Sequence, residues 1–253
     1  ESLNSFDENI NYSKRIINTL GIRYNFDNRT ALEGFLTNSF GQTPATSILT
    51  LPSSNNYMLG GRLVYYPIIN NNYSYGYKKR KTSFNANREG LSVANFNQLD
   101  SGKFLFYSPI FIDGSTASKL KVGLSKNFIL DFSSDKIPQD ISQNNNFEKN
   151  YFQPGERSFR VGGLITTLSE EKGDPFSSGF RLSFGRSLGA TKPGYMFAEL
   201  VNSKNLSKNY TLNLNPKIAN TGNGEVFGLG LSLNYKLSDW LTLIPEANIG
   251  LKN

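Results

Sequence analysis

The sequence contains no cysteine and no histidine, and these two absences exclude most familiar site chemistries. Without cysteine the chain has no disulfides and no thiolate metal ligands. Without histidine it lacks the commonest general base, the commonest zinc ligand and any Ser–His or Cys–His nucleophile pair. We therefore expect no metal, no other cofactor and no enzyme of the histidine-dependent kinds.

Other absences narrow the function classes further. No phosphate-binding loop is present, and the Gly-x-Gly pieces near Gly228 lie within a strand-like run, where a nucleotide fingerprint needs a strand-to-helix turn. Glu170 and Glu171 share a charged turn with Lys172, which favours a solvated loop over a catalytic pair. No spacing fixes two carboxylates at the separation that glycoside hydrolysis requires. We expect that the protein is not an enzyme.

Long apolar runs are also missing. No run approaches the ~20 residues that a membrane helix requires, so any crossing of a membrane must be made by strands. The length of 253 residues suits one closed β domain, with no visible interdomain linker. We predict a single barrel domain over residues 1–253, in which residues 1–15 form a polar N-terminal tail or a short helix.

Strict alternation of apolar and polar residues is present instead, most clearly over residues 226–251. Every second residue from Phe227 to Leu237 is apolar, whereas those between them are glycine, serine, asparagine and lysine. Successive side chains of a strand point to opposite faces, so this period of two predicts a strand with one apolar face. The alternation resumes at Leu241 after a short turn, which predicts a hairpin.

A short phrase recurs three times between strand-like runs, at residues 124–130 (LSKNFIL), 206–212 (LSKNYTL) and 237–243 (LSDWLTL). Each copy reads as a polar turn followed by an aromatic residue, namely Phe128, Tyr210 and Trp240. Aromatic side chains concentrate at membrane–water interfaces, so these three are candidate interface anchors. The short turns fall at one end of the strands, and the longer segments 41–56 and 135–157 fall at the other.

The runs add up to about fourteen strands, or twelve if the weak runs 73–84 and 90–97 are not strands. We predict an all-β, antiparallel, up-and-down transmembrane β-barrel. A soluble sheet would show the same alternation with its polar face in water, so a single hairpin does not decide between lipid and water outside.

On these repeated turns and the 226–251 hairpin, residues 16–251 resemble outer-membrane β-barrel proteins of Gram-negative type, porin-like ones in particular. The stretch 38–46 is similar to cyanobacterial outer-membrane sequences. The resemblance implies an outer-membrane location, a bilayer with lipopolysaccharide as the surroundings, passive diffusion of small solutes and no catalytic residues. Ending at Leu251-Lys252-Asn253 departs from the final aromatic residue that is common in such barrels.

The net charge is +7, and several of the basic residues lie on the polar phase of the predicted strands. A lumen lined by Arg and Lys would concentrate small anions, because such rings set anion preference in pores. Carboxylates at Glu33 and Asp131 fall on the same polar phase and would pair with some of these cations. The candidate pore-lining residues are Arg23, Arg62, Lys121, Arg181, Lys236 and Glu246, with the phase of Arg160 less certain.

Three functions remain open from the sequence. The first is a passive pore for small hydrophilic solutes, anion-preferring through a basic lumen. The second is an outer-membrane transporter of a hydrophobic ligand, with an apolar pocket formed by Phe35, Met58, Val64 and Tyr66. The third is a non-transport role, as a soluble binding barrel or an adhesin with long contact loops. The basic cluster 78–81 favours a lipid-facing rim or a solvated loop over nucleic-acid binding.

Overall fold

The computed structural model describes residues 16–27, 29–38, 57–65, 90–96, 99, 101–111, 116–136, 157–188, 194–220 and 225–251. No helix within these ranges is long and apolar enough to cross a membrane. The strands are β1 (Ile16–Asn25), β2 (Thr30–Thr37), β3 (Met58–Tyr65), β4 (Phe104–Phe111), β5 (Thr116–Ser125), β6 (Phe128–Lys136), β7 (Arg157–Leu168), β8 (Ser177–Leu188), β9 (Tyr195–Asn205), β10 (Tyr210–Asn220), β11 (Glu225–Lys236) and β12 (Leu241–Leu251).

The twelve strands form one closed antiparallel barrel in which each strand pairs with its neighbours in sequence. β1 closes the sheet by pairing with β12, in a register that places Ile16 opposite Ile249 and Tyr24 opposite Leu241. Closure leaves no unpaired sheet edge along these strands. The predicted up-and-down barrel is confirmed, with the lower of the two strand counts.

The two faces of the barrel wall differ in polarity along most of the described strands. In β1 the side chains of Thr19 and Arg23 are buried inside, whereas Leu20 and Ile22 are about half exposed on the outer face, at 50% and 52%. Many other large apolar side chains are exposed outside in the same way, among them Leu200, Leu214 and Phe184. The apolar phase predicted from the period of two is therefore the outer surface, and the polar phase lines the interior.

Five short connections lie at one rim, which we call the short-turn rim; they follow β1, β5, β7, β9 and β11. In two copies of the recurring phrase the serine holds the turn: Ser125 Oγ accepts a hydrogen bond from Asn127 N (3.3 Å), and Ser207 Oγ accepts one from Asn209 N (3.1 Å). The turn after β1 uses Asp27, whose Oδ1 accepts from the N–H of Arg29 and Thr30, and these bonds lower the pKa of Asp27. The recurring phrase is thus a turn motif.

The predicted strand at residues 90–97 is wrong. Residues 90–96 lie inside the barrel with every side chain buried, and they pair with no neighbouring strand. The alternation of Leu91 and Val93 with Ser92 suggested a strand because an extended chain between apolar and polar walls shows the same period. The predicted run 73–84 and residues 1–15 lie outside the described part of the chain.

Candidate functional site: the lumen and its inner segment

The inner segment, residues 90–96, occupies the centre of the lumen and is held by apolar contacts at both ends. Leu91 packs against Phe35 of β2 and Ile244 of β12. Ala94 and Phe96 belong to a second cluster with Leu99 of the same connection and with side chains of the surrounding walls: Ala31, Val64, Leu105, Tyr107, Ile129, Leu164 and Val201. Burial of these side chains stabilises the segment in its position between opposite walls.

Glu246 of β12 binds the beginning of the inner segment with a single carboxylate. Oε1 accepts the N–H of Leu91 at 2.6 Å, and Oε2 accepts the N–H groups of Ser92 (2.5 Å) and Val93 (2.9 Å) and the Ser92 hydroxyl (2.7 Å). Consecutive backbone N–H groups that converge on one anion form a concave anion-binding arrangement. Glu246 therefore supplies the partners that these backbone donors would otherwise find in a sheet.

Arg62 of β3, a strand three positions from β12 around the barrel, binds the carbonyl groups of the same segment. Its Nη2 donates to Gly90 O at 2.8 Å and its Nη1 to Leu91 O at 3.3 Å. Its Nε pairs with Oε2 of Glu33, whose other oxygen accepts from Nε of Arg23 at 2.6 Å. All three side chains are buried, so one carboxylate lies between two guanidinium groups and orients the one that holds the segment.

Amide and hydroxyl side chains of β9, β10 and β12 complete the binding of the segment. Asn215 Nδ2 donates to Ala94 O (2.6 Å), and the N–H of Phe96 donates to Ser203 Oγ (2.8 Å). Asn248 Nδ2 donates to Ser92 Oγ (2.9 Å), and Lys217 Nζ donates to Asn248 Oδ1 (2.7 Å). The segment replaces strand pairing with hydrogen bonds to inward polar side chains, as buried backbone groups require.

The candidate pore-lining residues fall into two groups. Arg23, Arg62, Lys121, Arg181 and Glu246 are all buried on the inner face of the wall. Arg181 forms ion pairs with Asp131 (3.1 Å) and Glu199 (2.7 Å), so its charge is balanced by neighbouring strands. Lys236 lies at the end of β11 and bonds Asp239 of the adjoining turn at 2.5 Å. The structure thus brings the first five together and leaves Lys236 at the rim.

Two small cavities remain beside the inner segment in the described part of the lumen. One, of about 20 Å³, is lined by basic side chains of the walls together with Leu91, Val93 and Ala94 of the segment. The other, of about 30 Å³, lies toward the short-turn rim and is lined by Asn95, Phe96, Ser203 and the turn residues Glu170 and Glu171. Both are small, because the inner segment fills most of the described lumen around them.

Sequence reasoning missed the inner segment and several of the side chains that hold it. Glu199 and Lys217 occupy inward positions of alternating strands, so the period of two could have found them. The sequence did contain one indication of the inner segment. The connection 66–103 between β3 and β4 is long, although the other connections at the same rim are short. A connection much longer than its neighbours has length to spare for entering the lumen.

The three candidate interface anchors lie on the outer face at the short-turn rim. Trp240 is half exposed, and its ring lies 5.5 Å from that of Tyr24. Tyr210 stacks on Tyr235 at a centroid distance of 4.5 Å. Phe128 lies over Gly163, where an added Cβ would come within 2.7 Å of the ring. The side chains form part of an aromatic band around this rim.

The predicted apolar pocket has no space in the described structure. Phe35 and Val64 are buried in the two apolar clusters that hold the inner segment, and Met58 is half-buried at the start of β3. Tyr66 lies outside the described residues. The apolar side chains of the lumen therefore contact the chain itself.

Within the described ranges no group of three acidic side chains is arranged to hold a metal ion. No protein-family model matches the sequence, and no curated protein matches it.

Proposed function

We propose that the protein is an outer-membrane barrel of a Gram-negative-type bacterium that forms a narrow, anion-preferring pore for small hydrophilic solutes. A single observation carries the proposal: many large apolar side chains are exposed on the outer face of the wall, whereas most charged side chains in the middle of the strands are buried inside. Soluble proteins rarely expose a contiguous apolar surface of this extent, whereas a membrane barrel requires it. A bilayer with lipopolysaccharide is the proposed surroundings of the outer face.

The charges of the lumen support the anion preference. Among the described residues, six buried basic side chains (Arg23, Arg62, Lys121, Arg160, Arg181, Lys217) face five buried acidic ones (Glu33, Asp131, Asp135, Glu199, Glu246). Lys119 adds a further, half-buried cation beside the basic cavity. The excess is small, but in a narrow lumen it biases the electrostatic potential toward anions.

The inner segment is the proposed restriction of this pore. It fills the described lumen between β2, β3 and β12, so passage of a solute requires the segment to shift away from Glu246 and Arg62. Its hydrogen bonds and apolar contacts are made to side chains of the wall and not to the strand backbones, so they can break and re-form without opening the barrel wall. We therefore propose a low conductance that is limited by the segment and not by the diameter of the barrel.

The pore is tested by reconstitution of the purified barrel in planar bilayers. We expect small ion-conducting steps and a zero-current potential, under a salt gradient, whose sign shows anion preference. A folded barrel that shows heat-dependent gel mobility but never conducts would contradict the proposed pore. Steps with cation preference would retain the pore and exclude its proposed selectivity.

The lipid-facing surface is tested by Leu214→Arg, at the middle of the outer face of β10. We expect the free energy of unfolding in a bilayer to fall by about 2–4 kcal/mol, because an arginine at the bilayer midplane is costly. The matched control is Leu237→Arg at the short-turn rim, where the expected cost is about 0–1 kcal/mol. Equal small effects at both positions, in a barrel stable without detergent, would indicate a soluble barrel instead.

The two alternative functions have less support. A transporter of hydrophobic ligands needs an apolar cavity, and the inner segment covers the apolar side chains that would line one. An adhesin would depend on the segments 41–56 and 137–156, which join strands at the rim opposite the short turns. Passive passage through the polar interior is therefore the function that the described residues favour.

A further inference from the structure

We infer that the basic cavity beside the inner segment is a discrete binding site for one small inorganic anion of halide size. The inference rests on the proposed function, because it locates within the lumen a position at which the passing anions would pause. It is argued from the charge around the cavity, from the unmet donors of Arg160 and from the size of the space.

Basic side chains outnumber acidic ones in the lining of the cavity. Its basic side chains are Arg62, Lys119, Lys121, Arg160 and Arg181, and its acidic side chain is Asp131. Carboxylates of the walls pair with two of these cations: Arg62 pairs with Glu33, and Arg181 pairs with Asp131 and Glu199. This arrangement holds both guanidinium groups in place beside the cavity.

The charge of Lys119 interacts with those of several neighbours around the cavity. Asp135 attracts both Lys119 and Arg160, whereas Arg160, Arg62 and Lys121 repel Lys119. Repulsion between like charges that lie close together is strong in a lumen of low dielectric. A bound anion would reduce that repulsion.

Arg160 supplies hydrogen-bond donors that its protein surroundings do not satisfy. Its side chain is 5% exposed, and neither Nε nor Nη1 has a hydrogen-bond partner. Its guanidinium carbon lies 5.9 Å from the ring centre of Phe197, which is a cation–π contact. This contact provides no hydrogen-bond acceptor for the N–H groups. Buried, unpaired N–H groups on a cation are costly, and an anion is the partner that forms the strongest hydrogen bonds with them.

The walls hold the neighbouring cations in place around the space. The guanidinium carbon of Arg62 lies 5.3 Å from the ring centre of Tyr107, and Lys121 Nζ lies 5.7 Å from the same ring. The cavity of about 20 Å³ has room for roughly one water-sized occupant. A monatomic anion, which is close in size to a water molecule, fits this space.

The experiment uses bromide as the probe, because its anomalous scattering locates it in crystals of the detergent-solubilised barrel. We expect an anomalous peak beside Arg160 and the inner segment. In Arg160→Gln we expect the peak to disappear, and the affinity for bromide, measured by halide NMR line broadening, to weaken by about tenfold or more.

The matched control is Arg186→Gln, which removes an arginine from the outer face of the neighbouring strand β8. This variant should retain the peak and the wild-type affinity. Absence of a peak in the wild-type barrel, or an unchanged peak in Arg160→Gln, would overturn the inference. If Arg160→Gln does not give the heat-dependent mobility of a folded barrel, Lys119→Gln is measured in its place, and an unchanged affinity in that variant would count equally against the site.

The outcomes separate this inference from the proposed pore. A bromide peak in a barrel that does not conduct would support the anion site and contradict the pore. Anion-selective conduction without a bromide peak would support the pore and contradict the site.

Discussion

Replacing Glu246 with alanine should open the lumen, and the single-channel conductance of the variant is expected to exceed that of the wild-type barrel. The substitution removes the acceptor of four hydrogen bonds from residues 91–93, three of them from consecutive backbone N–H groups. Without Glu246, these N–H groups can form hydrogen bonds only with water, which is more accessible when the segment is displaced. The substitution therefore stabilises the displaced segment relative to the seated one.

The size of the effect follows from the strength of the lost contacts. A hydrogen bond to a charged group contributes about 1.5–3 kcal/mol, so even two of the four would supply about 3 kcal/mol. A loss of about 3 kcal/mol raises the population of the displaced segment by more than about 100-fold relative to the seated one. The time-averaged conductance should increase because the displaced state is then frequently occupied.

Planar-bilayer recordings of Glu246→Ala beside Thr242→Val provide the measurement and its control. Thr242 lies on the inner face of the same strand, is equally buried, and its hydroxyl has no hydrogen-bond partner in the described structure. Thr242→Val should therefore conduct like the wild type. Equal conductance of all three proteins would show that residues 90–96 do not limit passage.

Replacing Glu33 with alanine is expected to cause a large loss of stability. Glu33 lies between Arg23 and Arg62, and all three side chains are buried. Removal of the carboxylate leaves two buried guanidinium groups without their common partner, which costs about 3–5 kcal/mol in comparable buried ion pairs. The measurement is unfolding of the bilayer-inserted barrel by denaturant, with retention of the folded, fast-migrating gel band as a second reading.

The control for Glu33→Ala removes all three charges at once. The triple variant Arg23→Met, Glu33→Leu, Arg62→Met should recover much of the lost stability, because well-packed apolar side chains replace buried ion pairs at little cost. It should nevertheless conduct more than the wild type, since Arg62 no longer binds the carbonyl groups of Gly90 and Leu91. Stability equal to that of Glu33→Ala would show that the loss arises from packing and not from unpaired charge.

The sequence predicted the wall of the barrel well because the signal there is local. In β11, Phe227 to Tyr235 alternate with Gly228 to Lys236, and the pleat alone sends the two sets to opposite faces. The turn copies at Ser125 and Ser207 were equally readable, because a serine side chain satisfies the backbone two residues later. The inward positions of Arg23, Arg62 and Glu246 follow from the same alternation.

The position of residues 90–96 could not be predicted from local sequence patterns. Their pattern of Leu91, Ser92 and Val93 resembles that of a strand, and the difference lies in partners distant in sequence, such as Glu246 and Asn215. The pairing of Arg181 with both Asp131 and Glu199 has the same character, because three different strands supply the groups. Periodicity gives the face on which a charge lies but not the opposite charge that it meets.

The sequence by itself thus determined the β class, the two faces of each strand, the turn chemistry and the exclusion of histidine- and cysteine-dependent sites. The tertiary structure decided that twelve strands close the barrel, that residues 90–96 fill its described lumen, and that basic side chains outnumber acidic ones around one small cavity near Arg160. The physical reason is the range of the interactions. Alternation and turns are set within a few residues, whereas closure, filling of the lumen and charge pairing depend on which distant strands become neighbours.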